Sequence, residues 1–267
     1  MAIKIAICQL KVKNRKKENL AKAANMVRKS AKNASIIVLP EMFNCPYDID
    51  FFPAFAEKYP GETTNMLSSL AKELKILLIG GSIPETEDGH IYNTCFIFNQ
   101  HGKLIARHRK IHLFDVDIKG KISFKESSVL SSGNKITVFD TKFCKIGVCI
   151  CYDMRFPGLA SKIASMGAKM IIVPAAFNMT TGPAHWHVIN RARALDNQIY
   201  FVSASPARNQ NSSYKAYGHS MIVNPWGKII KEASHGEQIL YGSIDLDYLG
   251  KIRSELPVLK HKRENIN

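Results

Sequence analysis

The chain has 267 residues, 46% of them hydrophobic, 9% aromatic and 22% charged. That is enough apolar side chain to offset chain entropy, so intrinsic disorder is excluded. Its 37 lysines and arginines against 22 acidic residues give a formal net charge of +15, and apolar runs such as Ile36-Ile37-Val38-Leu39 are short; a membrane helix needs about 20 such residues, so no membrane contact is expected.

Residues 3–9 read as a strand, and the opening residues lack a small-residue cleavage site, so a cytoplasmic protein is expected. Lys11, Lys13, Arg15, Lys16, Lys17, Lys22, Arg28, Lys29 and Lys32 face only Glu18, while Leu20, Ala24, Val27 and Ala31 recur at helical spacing. This predicts an amphipathic helix with a basic outer face. No zinc-finger spacing, aromatic RNA-binding strand or Arg-Gly tract accompanies it, so a solvated lysine-rich face is expected and no nucleic-acid partner. The apolar run 36–39 closes on Pro40-Glu41, and a helix at about 63–74 leads to a second buried strand at 76–80.

Residues 92–98 and 103–109 form a hairpin around Asn99-Gln100-His101-Gly102. The pattern then restarts. A buried strand at 143–150 ends at Cys151-Tyr152-Asp153 and is followed by a helix with Leu159, Ile163 and Met166 on one face. The run 170–173 ends at Pro174, a helix covers 185–198, and a strand covers 200–205. Residues 221–223 and 228–231 flank Asn224-Pro225-Trp226-Gly227, and 238–245 is the last strand. Two helix-then-buried-strand units with interleaved hairpins imply one α/β layered domain over residues 1–267, with two sheets face to face and helices outside. Ligands in such sheets bind beyond the carboxyl ends of strands, where Glu41, Lys110 and Cys151 all fall.

The six cysteines, at positions 8, 45, 95, 144, 149 and 151, are too sparse for a disulfide framework and read mostly as small buried hydrophobes. Cys149-Ile150-Cys151 is not a Cys-x-x-Cys motif. His185-Trp186-His187 offers a pair of metal ligands, but no third follows at sensible spacing, so no metal is expected. Cys151 differs from the other cysteines because it lies at a strand-to-helix turn, where a thiol is presented beside backbone N–H groups. Glu41, directly after an apolar strand, is a partly desolvated carboxylate suited to general-base work; a surface glutamate is the alternative.

Leu39-Pro40-Glu41, Arg109-Lys110-Ile111-His112-Leu113 and Cys149-Ile150-Cys151-Tyr152-Asp153-Met154-Arg155-Phe156-Pro157 together resemble the three catalytic signatures of the nitrilase, or carbon–nitrogen hydrolase, superfamily. The resemblance is closest to the omega-amidase branch, through Phe114-Asp115, the segment 177–186 and Ser203-Ala204-Ser205-Pro206-Ala207-Arg208. It implies a four-layer αββα sandwich and a Glu41–Lys110–Cys151 triad, with Glu126 as a second glutamate holding Lys110. The implied reaction needs no cofactor: Cys151 attacks a small amide, Glu41 moves the proton, and Lys110 with the Tyr152 backbone N–H stabilises the oxyanion. Implied substrates are 2-oxoglutaramate or 2-oxosuccinamate, with an amidase for deaminated glutathione or an N-carbamoyl amino acid hydrolase as the alternative.

A substrate that is half a dicarboxylate needs an arginine at its far end. The resemblance gives that role to Arg155, with Phe177 and Thr181 lining the pocket and Tyr47 closing it; pairing of Arg155 with Asp153 is the alternative. It also implies a homodimer or larger assembly. The apolar segment 256–259 would be ordered by a partner or, equally, packed as a strand-like tail on its own domain.

Overall fold

The computed structural model describes residues 2–263; Met1 and residues 264–267, included in the expected domain, lie outside the described residues. The elements are β1 (Ala2–Gln9), α1 (Lys16–Ala31), β2 (Ile36–Val38), α2 (Phe52–Phe55), α3 (Glu62–Leu74), β3 (Leu77–Ile79), β4 (Ile83–Glu87), β5 (His90–Phe98) and β6 (Leu104–Arg109). There follow β7 (Asp115–Ile118), β8 (Ile122–Lys125), β9 (Thr137–Asp140), β10 (Lys145–Val148), α4 (Pro157–Ser165), β11 (Met170–Pro174) and α5 (Gly182–Asp196). The chain closes with β12 (Tyr200–Ala204), β13 (Met221–Val223), β14 (Ile229–Glu232), β15 (Gln238–Asp245), α6 (Leu246–Glu255) and α7 (Val258–His261). Short 3-10 turns cover Glu126–Ser128 and Cys151–Arg155.

Alternation along β1 decides the layering. Ile3, Ile5 and Ile7 join Ile146, Val148, Ile172 and Phe201 in one core cluster, whereas Cys8 joins Leu20, Val27, Leu67 and Leu70 in another. The first cluster fills the space between the two sheets and continues under α4 and α5 through Ile163, Trp186 and Ala194; the second lies under α1 and α3. One sheet runs β15-β1-β2-β3-β5-β4, with β6 also on β5; the other runs β14-β13-β12-β11-β10-β9. Each holds a parallel trio, β1-β2-β3 and β10-β11-β12, flanked by antiparallel strands. With α4 and α5 outside the second sheet, the result is a four-layer αββα sandwich whose two halves repeat one plan.

The helix over residues 16–31 buries Leu20, Ala24 and Val27. Part of its basic face is paired, through Arg28 with Glu73 and Lys22 with Glu237. Several boundaries differ from expectation, and three have a clear physical cause. α5 begins at Gly182 because Pro183 sits in its first turn, where a missing N–H costs nothing. β10 is shorter than 143–150 because the chain turns out at Cys149 to build the following elbow. Met166 does not face the core beside Leu159 and Ile163; α4 ends at Ser165 and Met166 is 42% exposed. The segment 256–259 is not strand-like: Val258 opens the short helix α7, and both Leu256 and Val258 are exposed. Among the described residues no helix is long and apolar enough to cross a membrane.

Candidate active site

Glu41 follows β2 on a loop locked against residues 80–82. Ser82 N–H donates to the Pro40 carbonyl at 3.2 Å, and Phe43 N–H donates to the Ser82 carbonyl at 3.2 Å. Gly81 makes this approach possible: its φ is +61°, and a Cβ there would lie 2.2 Å from the Pro40 oxygen. Lys110 leaves the end of β6 with its N–H on the Asn93 carbonyl at 2.9 Å. Glu126 opens the turn after the β7–β8 hairpin. All three side chains are fully buried.

They meet through the lysine. Lys110 Nζ lies 2.9 Å from Glu41 Oε1 and 2.9 Å from both oxygens of Glu126. Asn93 Nδ2 donates to Glu41 Oε1 at 2.8 Å, and the backbone N–H of Phe114 donates to Glu126 Oε2 at 2.6 Å. Burial alone would depress the ammonium, but Glu126 and Glu41 outweigh it and hold its pKa far above the usual lysine value. For Glu41 the balance is different. Burial raises its pKa and outweighs Lys110, with Glu126 adding to the rise. Among the described residues Glu41 Oε2 is buried without a hydrogen-bond partner, and the Cys151 thiol interacts with this same carboxyl.

Cys151 stands at an elbow between β10 and α4 with φ at +45°, a conformation costly for a residue with a Cβ. Asp153 braces the bend: its carboxylate accepts from the Ile150 N–H at 3.0 Å, the His112 N–H at 2.8 Å, His112 Nδ1 at 2.8 Å and His108 Nε2 at 3.3 Å. Burial would raise this carboxyl, but the His108 and His112 bonds outweigh it and hold it well below the usual carboxylate range. The Ala176 N–H points at Cys151 Sγ from 3.5 Å. Burial, then Glu41, push the free thiol up while Lys110 draws it down. Cys149 is a buried core residue two positions earlier.

On the open side of Cys151 a cavity of about 10 Å³ is lined by Phe114, Tyr152, Arg155, Phe177, Thr181 and Tyr214. The structure thus brings Arg155, Phe177, Thr181 and Tyr152 to the nucleophile. The guanidinium of Arg155 sits 4.7 Å from the Phe177 ring and donates to His185 Nδ1 at 3.1 Å. Its Nε is buried with no hydrogen-bond partner among the described residues. Arg155 does not pair with Asp153, whose bonds go to the two histidines and the backbone. That much space holds about one water, so a substrate must part these side chains on entry.

Tyr47 is placed otherwise than expected. It does not line the arginine cavity; its hydroxyl donates to Glu126 Oε1 at 2.6 Å and accepts from Lys110 at 3.2 Å, on the far side of the triad. There it helps line a second cavity, of about 30 Å³, with Glu41, Met42, Pro206 and Tyr214. Asn93 and Tyr214 were not anticipated. Asn93 lies inside a strand whose pattern signals only pairing, and Tyr214 in a polar loop without periodicity. Tyr214 packs with its ring 4.6 Å from that of Tyr47, tilted by 40°, and donates to the Ala176 carbonyl, so it lines both cavities.

Comparison with known proteins adds a second line of observation. The family profile described as carbon-nitrogen hydrolase matches residues 4–254. Omega-amidase NIT2 of Mus musculus is 52% identical over 264 residues, covering 98% of this chain and 96% of that protein. Omega-amidase NIT2-B of Xenopus laevis is 51% identical over the same shares. The crystal structure of Saccharomyces cerevisiae Nit3, a member of branch 10 of the nitrilase superfamily, superimposes with a TM-score of 0.91 at 45% identity, covering 99% of this chain and 97% of that one.

Proposed function

The chain belongs to the carbon–nitrogen hydrolase family and hydrolyses carbon–nitrogen bonds, and from that premise we propose that it is an omega-amidase, releasing ammonia from the terminal amide of 2-oxoglutaramate or 2-oxosuccinamate. In this reading Glu41 takes the thiol proton as Cys151 Sγ attacks the amide carbon. The oxyanion meets the Lys110 ammonium and the Tyr152 N–H; one such donor is worth about 2.7–4 kcal/mol of transition-state stabilisation. Glu41 passes its proton to the leaving nitrogen, the carbon–nitrogen bond breaks, and ammonia leaves a thioester on Cys151. A water then gives its proton to Glu41 and its oxygen to the acyl carbon, and the thiol is regenerated. Glu126 and Tyr47 hold Lys110 in place throughout. Burial raises the pKa of Glu41, which fits a group that must both accept and return a proton.

The observation that carries the substrate class is Arg155. A guanidinium that shares the Cys151 cavity, lies over Phe177 and has a buried nitrogen with no acceptor among the described residues fits the far carboxylate of a dicarboxylic monoamide. Arg155→Lys should raise KM for 2-oxoglutaramate by about tenfold or more, the scale of one charge-assisted bond, and change hydrolysis of a small neutral amide far less. Equal losses on both would assign Arg155 to the scaffold. Faster turnover of deaminated glutathione than of 2-oxoglutaramate by the unmodified protein would replace the omega-amidase reading with the neighbouring one.

A further inference from the structure

The proposed reaction leaves His187 unused, although the sequence singles it out beside His185 as half of a metal-ligand pair. The fold separates those two. His185 turns to Arg155, while His187 on α5 faces the β13–β14 edge of the sheet beneath it. There His187 Nε2 lies 2.8 Å from Glu232 Oε1, and His219 Nδ1 lies 2.9 Å from the same oxygen. The three ligand atoms all fall within 4.8 Å of one another. The spacing that hid them is long: 45 residues separate His187 from Glu232, and 13 separate His219 from Glu232.

We propose that His187, His219 and Glu232 form a binding site for a divalent transition-metal ion of the zinc type, fastening helix α5 to the β13–β14 hairpin. Two imidazoles and one carboxylate favour zinc, cobalt or nickel over magnesium or calcium, which take oxygen ligands. A tetrahedral zinc ion holds nitrogen at about 2.0–2.1 Å and oxygen at about 2.0–2.2 Å, which sets the ligand atoms about 3.3 Å apart. The observed 2.8 and 2.9 Å to Glu232 must open by about half an ångström, and the two imidazole nitrogens, within 4.8 Å of each other, must settle at the same spacing. The side chains are 34%, 24% and 32% exposed, which leaves the fourth position facing solvent, where a water can sit.

The ring positions are set in advance. His219 has φ at +58°, a strained backbone for a histidine. Its ring stacks on Tyr217 at 4.4 Å, and its carbonyl accepts from Trp186 Nε1 at 2.7 Å, so the residue next to His187 already ties the two elements together. A bound ion would complete that tie and stiffen the start of α5, which carries His185 and follows Thr181.

Metal-stripped protein titrated with Co2+ tests this, because cobalt reports its ligands. The expected result is one equivalent bound, with the visible bands of a four-coordinate ion and no thiolate charge-transfer band. His187→Gln and Glu232→Gln should each weaken binding by at least about tenfold, the scale for losing even an outer-shell partner. Both should keep the circular dichroism and the metal-free amidase rate of the parent, which separates ligand loss from misfolding. Absence of saturable binding, binding unchanged in both variants, or a thiolate band showing the ion at a cysteine would each overturn the proposal.

Discussion

Cys151 and Cys149 are the same residue type two positions apart, and their surroundings separate them. Cys149 is buried in the hydrophobic core near Asp153 and Arg193, while Cys151 occupies a left-handed backbone position beside Glu41 and the cavity. The distinction was legible because an apolar run stops at Ile150 and a polar turn begins. Lys110 was not legible by itself, being one basic residue among 37; its meaning comes from the two carboxylates that surround it. Removing it leaves both carboxylates buried without their counter-charge, so Lys110→Met should cost about 3–5 kcal/mol of stability as well as activity. The pH profile follows from Glu41. Its ionised form must take the thiol proton, and burial, ahead of Lys110 and Glu126, raises its pKa. Activity should therefore be full above that raised value and fall as pH drops through it. The acid limb of kcat/KM should lie above about 4.3, the ordinary glutamate value, and a limb at or below it would contradict the assignment of Glu41 as base.

At the scale of elements, the elbow between β10 and α4 is the piece on which the site depends. Asp153 closes it by bonding across the bend to Ile150 and outward to His108 on β6 and to His112. Because its folded pKa is depressed, the stability it supplies is complete above about 3.9, the unfolded aspartate value, and is lost as pH falls below that. Asp153→Asn should destabilise the protein by about 1.5–3 kcal/mol at pH 7, the scale of losing hydrogen bonds to a charged group. That gap should close as the pH falls below about 4. A gap in urea unfolding as large at about pH 2.5 as at pH 7 would show that the charge is not what holds the bend. The β7–β8 hairpin shows where sequence reading stops. Asp115–Ile118 and Ile122–Lys125 are short, partly exposed strands with little apolar signal, yet they deliver Glu126 into the site. Only the family resemblance pointed to that glutamate.

Across the whole molecule the repeated strand–helix–strand pattern was legible because buried strands read as continuous apolar runs, and the two sheets reproduce it. What pattern could not supply were contacts between distant segments: Tyr214 against Tyr47, Asn93 on Glu41, Glu232 under His187 and His219. The assembly that the family resemblance implies is a homodimer or larger, and α5 exposes Val188 at 66% and Leu195 at 48%, apolar surface that a second copy would cover. Light scattering at micromolar concentration should return at least twice the mass of one chain; a monomer would contradict that assembly. The central claim is that one thiol carries the carbon–nitrogen hydrolysis. It is tested most directly by mixing the enzyme with 2-oxoglutaramate, quenching in acid and mapping the mass of every cysteine peptide. The account predicts an acyl adduct on Cys151 alone, and a folded Cys151→Ala protein that forms no adduct and releases no ammonia. An adduct on another cysteine, or sustained ammonia release by Cys151→Ala, would contradict it.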